Sequence, residues 1–357
     1  MTYYLFGAQA IALSVLRAYG EKNIKAVVVS SKDGNPAALD GVPVLTIEEL
    51  ATSLSAQERL NSKIIIATPE DVQSDIEDVL VSYGFPHYHK MNSVEWAELM
   101  GLYYQRLQMF PLLRNLPIGV KRPFLRVYAA CFEKDSPLLK EAEYPDWLVP
   151  LQVGAENAMR KIARLQDNQG DNISLKNKNY CEITGLYWLW KNKLGKKSVG
   201  NDRQYYGLFQ YRRMLMISEN DIYRLADNDV DVLLPYPMIY EPNIAVHHKR
   251  YLSDKDWQVL LDVIEKYSPQ YISIIQDVMT QDYFYNYNVI IAEKNVLADY
   301  CQWLFDILEQ VEILSSPPER ERADRYLGYM AENLATVYFL GNKNNLHIRH
   351  VGCRMLI

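Results

Sequence analysis

Two segments of this chain concentrate the side chains that handle sugars and phosphates. The first, DNISLKNKNYCEITGLYWLWKN at Asp171–Asn192, opens on an acidic-amide turn and runs into an aromatic helix. The second, GLFQYRRML at Gly207–Leu215, ends a strand on paired arginines. Aromatic faces stack on sugar rings. Arginine is permanently charged and forks onto diphosphate oxygens. Asp171, Asn172, Tyr211, Arg212, Arg213 and Asn288 are therefore candidates for holding a phosphorylated sugar. If the strand end is extended, successive side chains alternate, so one of Arg212 and Arg213 faces the site. Which one is open.

A hydroxyl that attacks a sugar needs a base, and Glu182, Asp282 and Glu332 are the candidate carboxylates. Glu182 has a second reading. It lies three residues after Asn179, the spacing of a capping box, so the helix is expected to start there. Trp188, His247 and His248 are candidates for contacting the sugar that receives the transfer. The two histidines are adjacent, so they diverge rather than chelate together.

A literal Asp-x-Asp, the usual divalent-metal motif of nucleotide-sugar enzymes, occurs at Asp229–Asp231. It precedes the apolar run Val232–Pro235 and so falls at the entry end of that strand. Asp254 and Asp256 follow Ser253 and read as the acidic first turn of a helix. No metal ligand is assigned. Manganese or magnesium stays open as a cofactor, with arginine neutralising a diphosphate as the alternative.

These residues need a scaffold that gathers strand ends. Residues 3–92 alternate strand and helix: Tyr3–Ala8, Lys25–Ser31 and Lys63–Thr68 are apolar strands. The first turn, Gly7–Ala12, keeps one glycine of a dinucleotide fingerprint and places Gln9 where a pyrophosphate would approach, which argues against a nicotinamide site. Leu99–Phe132 carries five basic residues and no Asp or Glu, with prolines at 111, 117 and 123. It reads as an irregular linker, or as a face toward an anionic membrane. Downstream, Phe124–Phe132 and Tyr205–Phe209 are strands. A helix is expected from Gly154 to Arg164, a turn and a β-run in Gln281–Lys294 with Asn286 and Asn288 on one face if that stretch is extended, and helices at Val296–Val311 and Glu321–Phe339. The expected fold is α/β in two domains. They are a small Rossmann-like parallel-sheet domain at 1–92 and, after a basic linker at 93–122, a larger α/β domain at 123–357.

Composition sets limits. The chain has 357 residues, 49% of them hydrophobic, and a net charge of -6, which disfavours nucleic acid. Its four cysteines match no metal or redox spacing and read as reduced thiols of a cytoplasmic protein. The apolar N-terminus lacks a basic region and a cleavage site, so it is not read as a signal peptide. Tyrosine is abundant, at 27 residues, in keeping with sugar contacts.

An ordered series of motifs resembles the glycosyltransferases of bacterial capsule, exopolysaccharide and lipopolysaccharide gene clusters, long filed as a domain of unknown function. It includes PLQVGA at Pro150–Ala155, the two segments above, LPYP at Leu234–Pro237, HHKRYL, YNYNVIIAEK with CQWLF, and RYLGYMAENL. The resemblance spans about residues 124–340. It implies a GT-A-type domain, and some members are similar to galactofuranosyltransferases. The implied donor is a nucleotide sugar such as a UDP-sugar. The implied acceptor is a lipid-linked saccharide at the inner face of the membrane. Gln210 departs from the histidine usual before YRR. A non-catalytic sugar-nucleotide-binding or scaffold protein of the same pathway is the alternative.

Overall fold

The computed structural model describes residues 1–20, 23–138, 144–195, 203–315 and 324–356. Two α/β sheets organise them. The first has six strands: β1 (Thr2–Phe6), β2 (Ile24–Val29), β3 (Ala38–Leu39), β4 (Val42–Thr46), β5 (Ser62–Ile66) and β6 (Tyr88–Lys90). Their spatial order is β3-β4-β2-β1-β5-β6, and every pairing is parallel except that of β3 with β4. Runs such as KIIIAT bury both faces, as parallel strands covered by helices must.

The second sheet carries the candidate residues. It contains β7 (Phe124–Cys131), β8 (Leu148–Gln152), β9 (Leu165–Gln166), β10 (Gln204–Gln210), β12 (Val232–Pro235), β15 (Ile290–Glu293) and β16 (Ile348–Val351). Their order is β16-β12-β15-β10-β7-β8-β9. Only β15 runs against the others. The carboxyl ends of six strands therefore share one edge with the start of β15, and ligands of open α/β sheets gather at such an edge. Short β11 (Arg213–Leu215) folds back on β10 and pairs with β17 (Cys353–Met355). A ribbon of β13 (Met238–Ile239) and β14 (Tyr283–Phe284) stands apart.

Two cores fill the faces of this sheet. Tyr128, Ala130, Leu151, Leu208 and Ile290 pack on one side against the helices Ile183–Leu189, Lys294–Ser315 and Tyr326–Gly341. Leu125, Val127, Ala129, Phe209 and Ile291 pack on the other, with Ile222 and Leu225. The alternation along β7 follows from the two-residue period of a strand. Gly207 is required where β10 meets β15, because a Cβ there would lie 2.3 Å from the carbonyl oxygen of Ile290.

Segment 93–122 is more structured than its sequence implies. Ser93–Leu107 is a helix capped by Asn92, which accepts from the N–H groups of Val94 and Glu95. It buries Trp96, Met100, Tyr103 and Tyr104 in a core shared with the helix Ala10–Tyr19 and with Tyr236, Met238 and Ile239. Two basic side chains of this region meet partners distant in sequence: Arg106 donates to Ala18 O, and Arg122 pairs with Glu219 and Asp146.

Three local expectations are corrected. After Gly154 there is a single 3-10 turn, Ala155–Asn157, not a helix to Arg164. Asn179 lies inside the short helix Asn177–Tyr180, and Cys181, at φ +53°, breaks the chain before Glu182, so no capping box forms. Gln281–Lys294 does hold a turn and a β-run, but Tyr287, at φ +74° between β14 and β15, breaks the backbone between Asn286 and Asn288, so the two do not share an extended face.

Candidate functional site

The centre of the site is the end of β10. Leu208 faces one core and Phe209 the other, so the alternation turns Gln210 toward the helix Ile183–Leu189. There its amide nitrogen donates to Glu182 Oε1 at 2.9 Å. Asn288, just before β15, donates to the same oxygen at 2.9 Å. The tight return into β11 brings Arg213 opposite Gln210, and Arg213 Nη1 donates to Gln210 Oε1 at 2.7 Å. Gln210 thus carries a donor to a carboxylate and an acceptor for a cation on one neutral group.

The chain of contacts continues through Tyr287. Its ring lies 3.8 Å below the Arg213 guanidinium, and its backbone N–H donates to Glu332 Oε1 at 3.0 Å. Burial, followed by the negative charge of Glu182, pushes the Glu332 carboxyl up to about 8. The Tyr287 N–H and Arg213 oppose that shift without cancelling it. Two carboxylates held in unlike environments is the pattern of an acid–base pair. Cys181 and Tyr287, the residues directly before Glu182 and Asn288, both hold positive φ without being glycine. Such backbone strain costs on the order of 1–3 kcal/mol and persists where surrounding contacts enforce it.

The two adjacent arginines face different neighbours. Arg212 acts electrostatically on Asp135, in the turn after β7, together with Arg325. Burial raises Asp135, while the Phe132 N–H at 2.7 Å, Arg212 and Arg325 pull it back. Arg213 instead belongs to Gln210 and Tyr287. Tyr211 lies under the Arg212 guanidinium at 5.8 Å.

The remaining candidates fall outside this group. Asp171 accepts from Tyr187 Oη at 3.3 Å and is tied through its backbone to Asn192. Asn172 closes its own turn, donating to Gly170 O and accepting from the Ser174 N–H. Trp188 is 2% exposed, with its indole N–H on Gln169 O and Tyr128 edge-on at 5.5 Å, so no ring face is open to a sugar. Asp282 forms an ion pair with Arg17, which also holds Asp40 at 3.3 Å. It ties the helix Ala10–Tyr19 to the β13–β14 ribbon, and its carbonyl accepts from the Tyr240 N–H.

The histidines diverge as their adjacency requires, but both are buried. His247 stacks on Tyr240 with ring centroids 3.6 Å apart, and burial lowers its pKa to about 4. Its Nδ1 is buried without a hydrogen-bond partner. Tyr240 Oη in turn accepts from Asn286 Nδ2 at 2.9 Å. Asn286 and Asn288 thus serve different partners. His248 packs against Trp257, and burial lowers it too. Asp229 and Asp231 both pair with Arg203 at the start of β12. Among the described residues no group of three or more His, Cys, Asp or Glu side chains is placed to hold a metal ion.

One buried carboxylate had no signal in the sequence. Asp167 is fully buried and accepts from the N–H groups of Gly154 and Ala155 and from the hydroxyls of Ser174 and Thr184, at 2.5–3.0 Å. It locks the turn after β8 to the helix that follows Glu182. Its partners lie 7–17 residues away, beyond any local motif. Tyr287 and Asp135 were equally silent, because only the fold brings them to Arg213 and Arg212.

The family model for the domain of unknown function DUF4422 matches residues 129–344, the span that contains every member of the Glu182–Glu332 group. The chain belongs to the DUF4422 family. Among solved structures it is similar to the apo structure of the WbbM bifunctional glycosyltransferase, with a TM-score of 0.54 and 26% identity. That match covers 65% of this chain and 45% of the WbbM chain, so this DUF4422 protein corresponds to under half of that protein's length. No curated protein is significantly similar to it. The DUF4422 region thus has a glycosyltransferase-like α/β fold, with its charged group at the carboxyl edge of the sheet.

Proposed function

We propose that this protein transfers a glycosyl group from a nucleotide diphosphate sugar to a saccharide in polysaccharide synthesis. The observation that carries the reading is the group Glu182–Gln210–Arg213–Tyr287–Glu332, with Arg212 turned to the neighbouring strand end.

The chemistry divides among these residues. Glu332, with its raised pKa, takes the proton of the acceptor hydroxyl. The freed oxygen bonds to the anomeric carbon as the bond from that carbon to the phosphate oxygen breaks. The electron pair leaves with the diphosphate, where Arg212, supported by Arg325, neutralises the charge. Glu182 stays fixed by Gln210 and Asn288 and keeps the Glu332 proton affinity high.

A UDP-sugar donor and a lipid-linked acceptor, met at the inner face of the membrane, complete the proposal. Both rest on the family resemblance. Among the described residues no helix is long and apolar enough to cross a membrane.

Calorimetry with UDP and a panel of UDP-sugars, followed by product analysis with saccharide acceptors, tests the reading. Binding of UDP and turnover of one donor are expected. Binding without turnover on any acceptor would favour the non-catalytic alternative, and absence of UDP binding would reject the donor class.

A further inference from the structure

The helix Tyr326–Gly341 begins at Arg325, its N-cap, and carries Tyr329 and Glu332 in its first two turns. The Tyr329 N–H closes the first turn onto Arg325 O at 3.1 Å. Spacings of four and three residues put these side chains on one helix face, with neighbouring Cβ atoms about 5–6 Å apart. Arg325 is exposed, and Tyr329 and Glu332 are half-buried. Arg325 and Glu332 both act electrostatically on the Tyr329 hydroxyl.

A second segment meets this face. The turn His248–Arg250 delivers Tyr251 against Tyr329, with ring centroids 4.8 Å apart and planes at 33°. The other side chains of the turn are committed elsewhere. His248 packs on Trp257, Lys249 pairs with Asp254, and Arg250 donates to Gln9. His247 stands edge-on to Tyr251 at 5.4 Å. Tyr251 is left 50% exposed. Single exposed apolar side chains are ordinary. Two tyrosines paired one helical turn from the candidate base are a more specific arrangement.

We propose that Tyr251 and Tyr329 form the platform for the acceptor sugar, a pyranose lying with its C–H face on the Tyr251 ring and one hydroxyl turned to Glu332. A pyranose has an apolar C–H face and a polar rim, and tyrosine offers a flat apolar face with a polar tip. A base must lie within hydrogen-bond reach of the hydroxyl it deprotonates, and a sugar on this pair sits one turn from Glu332. At the other end of the same face Arg325 supports Arg212 at the diphosphate. One helix face therefore lines up leaving group, sugar platform and base. The inference rests on the proposed glycosyl transfer and adds the place of the acceptor and the face it presents. The segment HHKRYL then meets the sugar through its tyrosine rather than its histidines.

The test is saturation-transfer NMR on the full chain with methyl α- and β-pyranosides of glucose, galactose, mannose, rhamnose and N-acetylglucosamine, each titrated alone and with UDP present. At least one is expected to bind, with saturation strongest at its ring C–H protons. Tyr251→Ala is expected to weaken that binding about three- to tenfold, the worth of an aromatic stack, and Tyr251→Phe to keep it within about twofold. Thermal melting is the folding control, and Tyr251→Leu replaces an alanine variant that does not fold. Failure of every pyranoside to bind overturns the inference. So does binding that the folded alanine or leucine variant leaves within about twofold of wild type, or an equal loss in Tyr251→Phe. A pyranoside displaced by a bound UDP-sugar marks the donor's own sugar and overturns the acceptor assignment. Tyr251-dependent binding without any UDP binding supports the platform and rejects the donor reading, whereas UDP binding without it rejects the platform alone.

Discussion

The guanidinium of Arg213 lies 3.8 Å over the ring of Tyr287, the residue whose backbone N–H holds Glu332. A cation–π contact of this kind contributes about 0.5–2 kcal/mol, more as water is excluded. Here it also sets geometry. Tyr287 sits at positive φ, and that conformation aims its N–H at the carboxylate. Arg213→Lys keeps the charge but loses the planar fork that spans Gln210 and the ring. We expect kcat/KM to fall roughly tenfold to a hundredfold, in line with about 1.4–2.7 kcal/mol for a charged hydrogen bond and a stacked cation. Steady-state kinetics with the active donor measures it, and a change under twofold contradicts the assignment.

Glu332 gives a pH signature. Its folded pKa, about 8, stands above the ordinary 4.5. The base must be ionised, so kcat/KM is expected to rise with pH and level off above about 8. Glu332→Gln should lower kcat by roughly 10²–10⁴ and abolish that limb. A pH–rate profile on both proteins decides it.

The same shift has an opposite effect on stability. Between about 4.5 and about 8 the folded state holds a proton that the unfolded state releases. Stability from this group is therefore present at low pH and lost as pH rises through the folded pKa. Glu332→Gln does not ionise, so its stability relative to wild type is expected to improve from pH 5 to pH 9. Urea denaturation at both pH values measures the difference.

Arg212 and Arg213 should separate experimentally. Arg212→Ala is expected to weaken UDP binding by about tenfold or more, as loss of a charge-assisted hydrogen bond to phosphate does. Arg213→Ala should leave UDP affinity within about threefold while depressing turnover. Calorimetry beside kinetics gives both numbers, and equal loss of UDP affinity in the two variants refutes the division.

Asp167 is a prediction about folding. Asp167→Ala would strand two backbone N–H groups and two hydroxyls in a buried pocket. A loss of roughly 3–5 kcal/mol is expected. Asp167→Asn, which retains one acceptor oxygen, should be milder. Chemical denaturation ranks the two.

Sequence alone determined which segments are strands and which are helices wherever periodicity was strong. The apolar strands β1, β5, β7 and β10 and the long helices Lys294–Ser315 and Tyr326–Gly341 follow from local pattern. It also determined the polarity of the strands, and with it that Arg212 and Arg213 follow the carboxyl end of a strand while Asp229 and Asp231 precede the start of one. Tertiary structure decided what those residues do. Whether Glu182 caps a helix or meets Gln210 depends on the break at Cys181 and on the distance to β10, neither of which is local. Asp282 and Glu332 look alike along the chain, yet one meets Arg17 and the other a backbone N–H under Arg213. Trp188 and Tyr287 are both aromatic residues in polar company, yet one is enclosed by the core and the other lines a cleft between the two sheets. Local propensity reads a few neighbouring residues, whereas the protonation and exposure of a side chain are set by groups 28–265 positions away.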